Sequence, residues 1–123
     1  MAGTVTVTEN APINGVTRIQ FDWLSDASGD ATKTTSNAHS GHVMWAVLEP
    51  DSGGTQPTAL YDVTVTDSDG YDVLNGGGAN CSNAANVYKA AEDKLGMVYS
   101  STLSLTVAAA GNAKGGKVTL FIR

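Results

Sequence analysis

Two stretches of this 123-residue sequence hold side chains spaced closely enough to share a ligand. In "YDVTVTDSDGYDVLNGGGAN" (61–80), Asp67, Asp69 and Asp72 fall within six residues, with glycines behind them. Carboxylates at that density are the raw material of a calcium loop, because Ca²⁺ is held by several converging oxygens. In "HSGH" (39–42), His39 and His42 are two imidazoles of the kind that bind Zn²⁺ when further ligands converge.

Spacing decides against both. An EF-hand loop places acids at its first, third and fifth positions, glycine at the sixth and glutamate at the twelfth. Counted from Asp67, the fifth position is Tyr71, glycine comes at the fourth, and the twelfth is Gly78. "DSDG" between "VTVT" and "YDVL" is hairpin-turn chemistry instead, since Asp-Gly supplies the positive φ angles of tight turns. Asp67, Asp69 and Asp72 are therefore read as turn residues, and they are also the one candidate cation loop. For the histidines, no cysteine lies nearby and a three-residue step along a strand points side chains to opposite faces. They read as exposed loop residues flanking the start of a strand, with no metal expected.

Other chemistry lacks its pattern. "NGGGAN" and "GNAKGGK" do not spell a phosphate loop, and no nucleophile elbow is present. No catalytic residue and no cofactor is expected, and the chain is read as a non-enzyme. Cys81 is the only cysteine, which rules out an intramolecular disulfide and leaves a passive small residue.

The elements that position these residues follow from period-two alternation. In "GVTRIQFDWLSD" (15–26), Ile19, Phe21 and Trp23 share a face opposite Arg18, Gln20 and Asp22. "VTVTE" (5–9) is a short strand, "GDATKTTSNA" (29–38) an edge strand, and "HVMWAVLE" (42–49) a strand apolar on both faces. In that last strand either Val43, Trp45 and Val47 or Met44, Ala46 and Leu48 face the core. "ALYDVTVTD" (59–67) turns Tyr61, Val63 and Val65 inward, and "YDVLN" (71–75) resumes as a strand after the turn. "AANVYKAAEDKLG" (84–96) reads as a helix capped by Ser82 or Asn83, with Gly96 left-handed at its end. "STLSLTVAAAG" (101–111) and "GKVTLFIR" (116–123) read as a hairpin. The fold class expected is mainly β: a two-sheet antiparallel β-sandwich of jelly-roll or Greek-key-like kind, with one short helix around residues 83–95. Residues 1–14 form an N-terminal strand or arm, and 15–123 a single β-sandwich domain.

Composition agrees. Only 15% of residues are charged, and the neutral polar residues suit β-sheet faces. A net charge of −5 with scattered Lys and Arg argues against nucleic acid as a partner. No apolar run reaches membrane-spanning length, and "MAGTVTVTEN" has no signal-peptide pattern. No membrane partner and cytoplasmic synthesis are expected.

Taken with "WLSDASGDAT" and "LSLTVAAAGNAKGGKVTLFIR", the stretch "YDVTVTDSDGYDVLNGGGAN" resembles a family of small structural proteins of tailed bacteriophages and prophages. The resemblance runs from about Val16 to Arg123 and includes no catalytic residues. It implies a virion role, and capsid decoration (cement) is the role inferred within it. The expected partners are then the major capsid protein and the chain itself, as a homodimer or homotrimer. The location would be the capsid exterior, after assembly from the host cytoplasm. The alternative is a tail, neck or fibre-associated virion component that contacts host-surface glycans, for which exposed Tyr61, Tyr71 or Tyr99 beside the aspartates would serve.

Overall fold

The computed structural model describes residues 3–123; the first two residues of the expected N-terminal arm lie outside them. Nine strands follow in order: β1 (Thr4–Ile13), β2 (Val16–Leu24), β3 (Ala31–Thr34), β4 (His39–Pro50), β5 (Asp62–Thr66), β6 (Val87–Ala90), β7 (Met97–Ser101), β8 (Ser104–Ala108) and β9 (Gly115–Ile122). The protein is mainly β, with 54% of residues in strands and 5% in helical turns. All pairings are antiparallel.

A curled six-stranded sheet runs β1-β2-β9-β4-β6, with β7 also paired to β4, and a smaller sheet runs β3-β8-β5. Alternation explains what lies between them. Ile19, Phe21 and Trp23 of β2, with Val118, Leu120 and Ile122 of β9, point toward Val63 and Val65 of β5 and Leu105 and Val107 of β8 in one buried cluster. Trp23 packs on Tyr61 with ring centroids 5.6 Å apart, a tilted geometry that aromatic quadrupoles favour.

Three local expectations are corrected. The helix around residues 83–95 is absent: Val87–Ala90 is strand β6, laid against Trp45–Leu48 of β4. Within that span only Ala91–Asp93 is helical, as one 3-10 turn. An isolated helix of that length is marginal, and Asn86, Val87 and Tyr88 weaken it further. An edge of β4 offers backbone partners that outweigh it. Asp93 Oδ2 accepts the Ala90 N–H at 2.7 Å, and the left-handed residue that ends the turn is Lys94 (φ 60°), not Gly96.

The second correction concerns residues 101–123. β8 and β9 are not a hairpin, since β8 pairs with β3 and β5 while β9 lies between β2 and β4. Residues 109–114 carry the chain from one sheet to the other. Gly115 and Gly116 begin β9 opposite Leu24 and Trp23. A Cβ on Gly116 would stand 2.6 Å from the Glu49 carbonyl oxygen and 2.8 Å from the Trp23 ring, so a bare backbone there admits the indole.

Third, "YDVLN" is not a strand. It makes one bridge, Thr66 to Asp72, and then turns, burying Val73 and Leu74. In β4 a register shift between Val43 and Trp45 breaks strict alternation. Val43, Ala46 and Leu48 therefore face the core together, which neither of the two alternating sets allows.

Candidate interaction surface

The large sheet presents its outer face in rows set by the strand register. One row crosses Asn10, Arg18, Phe121, Trp45 and Ala90; the next crosses Thr8, Gln20, Thr119, Val47 and Tyr88. A third brings Thr6, Asp22, Lys117 and Glu49 side by side. The polar ends are tied down: Arg18 Nε donates to Asn10 Oδ1 at 2.9 Å, and Gln20 Nε2 to Thr119 Oγ1 at 3.2 Å. The apolar end is not covered. Trp45 is 39% exposed and Tyr88 56%, their ring centroids 5.8 Å apart, with Met44 beside them at the register shift. Where Phe121 and Arg18 meet Ile13 and Val16, an open depression of about 390 Å³ continues the surface. Exposed aromatics of this kind are enriched at protein contact surfaces.

The aspartates of the 61–80 stretch act on their own backbone. Asp67 Oδ1 accepts the N–H groups of Asp69 and Tyr71, both at 3.0 Å, and Gly70 N–H donates to the Asp67 carbonyl. Asp72 Oδ1 accepts from Val65 and Leu74 (3.2 and 3.1 Å) and its Oδ2 from Gly76 (2.9 Å). Asp62 Oδ1 accepts from Asn80 at 2.8 Å. The carboxylate of Asp69 alone is left to solvent. Among the described residues no three His, Cys, Asp or Glu side chains gather at metal-binding distance.

The glycines behind them close the same unit. Val63 N–H donates to the Gly78 carbonyl at 2.8 Å, Cys81 N–H to Tyr61 at 2.7 Å, and Val73 N–H to Val65 at 2.8 Å. The segment thus covers the outer edge of β5. A Cβ on Gly78 would overlap the Val63 carbonyl oxygen, so only glycine lets the two backbones meet there. Cys81 is buried, and its thiol donates to the Gly78 carbonyl. Burial, with the Asp62 charge beside it, pushes that thiol up to about 11, which makes a reactive thiolate unfavourable.

His39 and His42 lie within β4, half-buried, not in an exposed loop. They serve different partners: His39 Nε2 meets Glu9 Oε1 at 2.7 Å, and His42 Nε2 meets the Leu95 carbonyl at 2.9 Å. Glu9 also accepts the backbone N–H groups of Ser36 (3.0 Å) and Asn37 (3.1 Å), which ties β1 to the β3–β4 connection. Partial burial pushes the Glu9 carboxyl up, but the His39 and backbone hydrogen bonds with the His39 charge together hold it below its ordinary value. The pair borders a second open depression, of about 390 Å³. Among the described residues no hydroxyl is hydrogen-bonded to the His39 ring.

Of the residues singled out in the sequence, Tyr61 is in the core while Tyr71 and Tyr99 are 72% and 89% exposed. The sequence reading missed Glu9, which lies far from His39 along the chain and carries no local motif. It recognised the two-sided apolar character of residues 42–49 without resolving which face is open. Comparison with protein-family models finds no match along the chain, and comparison with curated proteins finds none either.

Proposed function

We propose that this chain is a bacteriophage capsid decoration protein. It binds the outside of the shell built by the major capsid protein, bridges neighbouring subunits and associates with itself. In this reading the curled sheet and the smaller sheet are the halves of a jelly-roll-type sandwich. The observation that carries the reading is the uncovered pair of Trp45 and Tyr88 on adjacent rows of a strand-fixed face, with half-buried Phe121 beside Trp45. The resemblance over residues 16–123 supports it, and so does the use of acidic side chains as turn acceptors. Weak contacts suffice for such a role, because an oligomer that touches several subunits gains by effective concentration.

The test is the parent particle. Copies in the hundreds on heads, and heads that burst at lower temperature without the protein, are the expected result. The exposed Tyr71 and Tyr99 favour a second reading, a tail or fibre component that stacks on host glycans. A few copies confined to the tail would select that reading and sink the first.

A further inference from the structure

The two sheets have five edge strands, and four of them are short or covered. β7 is five residues long and pairs with β4 through a register shift. β3 and β6 are four residues long and carry Lys33 and Lys89. The outer side of β5 is covered by residues 72–81. Short edges, lysines and covering segments are the devices that stop strands from pairing with other chains. β1 is long and carries no lysine; β3 lies beside it, and the β3–β4 connection is held through the Glu9 side chain, not through the β1 backbone. β1 runs ten residues, pairs with β2 on one side, and among the described residues no backbone group outside β2 bonds to its backbone. Its one ionisable side chain, Glu9, is folded back onto Ser36, Asn37 and His39.

The sequence of this open edge is also its own complement. Thr4–Thr8 reads TVTVT in both directions. In an antiparallel pair of two such strands centred on Thr6, Thr4 lies opposite Thr8, Val5 opposite Val7, and Thr6 opposite itself. Directly opposed residues share a face, so the exposed threonines meet threonines and the half-buried valines meet valines. Both are favourable cross-strand pairs. A two-fold axis through Thr6 makes the contact isologous and closed. Beyond Asn10 the register shifts and Pro12 lacks an N–H, which ends the usable edge.

We infer that β1 is a homotypic interface, which takes the β1 of a second copy and makes the large sheet continuous across a dimer. This rests on the self-association proposed above and gives it a site and a register. Sedimentation of the full chain over a dilution series, with Thr6→Lys beside it, tests it first. A dimer weakened about tenfold or more by two lysines set face to face is the expected outcome. Because Thr6 is exposed, the variant should keep its thermal unfolding midpoint at dilutions where both chains are monomeric. Mild oxidation of Thr6→Cys and Thr8→Cys tests the register independently. Opposed residues lie about 4.5–5.5 Å apart at Cα, within disulfide reach, whereas the two Thr8 positions lie roughly 14 Å apart. Covalent dimer from Thr6→Cys alone supports the axis. A dimer unaffected by Thr6→Lys, with no Thr6→Cys cross-link, overturns the interface while leaving self-association standing. A monomer at every concentration overturns both.

Discussion

The carboxylates of the 61–80 stretch differ in what each one holds, and substitution should separate them. Asp72 satisfies three backbone N–H groups, those of Val65, Leu74 and Gly76. Asp72→Ala leaves them without that acceptor and should cost about 1–3 kcal/mol in urea unfolding. Asp69 accepts nothing, and Asp69→Ala should stay within about 0.5 kcal/mol. Equal effects would mean the aspartates act as a group, as cation ligands do. Glu9 makes a pH-dependent contribution. Its folded carboxyl lies below the ordinary 4.5, so the stability it adds is fully present above that value and is lost as pH falls through the folded one. Glu9→Gln should therefore flatten the acid limb of a stability–pH curve and leave the neutral region shallower. That curve can be read by thermal melts across the acid range.

Elements were legible where alternation is strict and opaque where it is interrupted. β2 and β5 could be read face by face because Ile19, Phe21 and Trp23, and Tyr61, Val63 and Val65, keep period two without a break. β4 could not, because the shift after Val43 moves its buried set from odd to even positions. β6 was hidden by alanines and by a Glu-Asp-Lys run that favours helix locally, while the deciding partner, β4, is about forty residues away in sequence. The same limit applies to β8 and β9, whose neighbours are chosen by the sheets and not by the short connection between them. The Asp turn was legible because its chemistry is local. The glycines that follow it had a role that needs the fold to be seen. Gly78→Ala should cost about 1–3 kcal/mol, since the added methyl meets Val63 backbone that cannot step aside. Gly54→Ala, with nothing near its Cβ position, should be close to neutral in the same unfolding assay.

At the scale of the molecule, one tryptophan holds the two sheets together and the other faces outward. Trp23 is fully enclosed, and Trp23→Ala should lower stability by about 3–5 kcal/mol. Trp45→Ser should cost the free chain less, yet on the proposed decoration role it should weaken attachment to capsids by about 2 kcal/mol, the scale of an aromatic anchor. Binding of the purified variant to stripped heads measures it, and unchanged attachment would remove the outer face from the contact. The placement of β9 bears on how the chain comes to be folded at all. The ninth strand in sequence lies between the second and the fourth, and Arg123 exchanges backbone bonds with His42 in both directions. Until residues 115–122 have left the ribosome, β1–β2 and β4 have no strand to join them. The larger sheet is thus assembled only after translation of this segment, by a long-range search that slows folding. A nascent chain stalled short of Gly115 would expose the apolar inner faces of two half-sheets to chaperones.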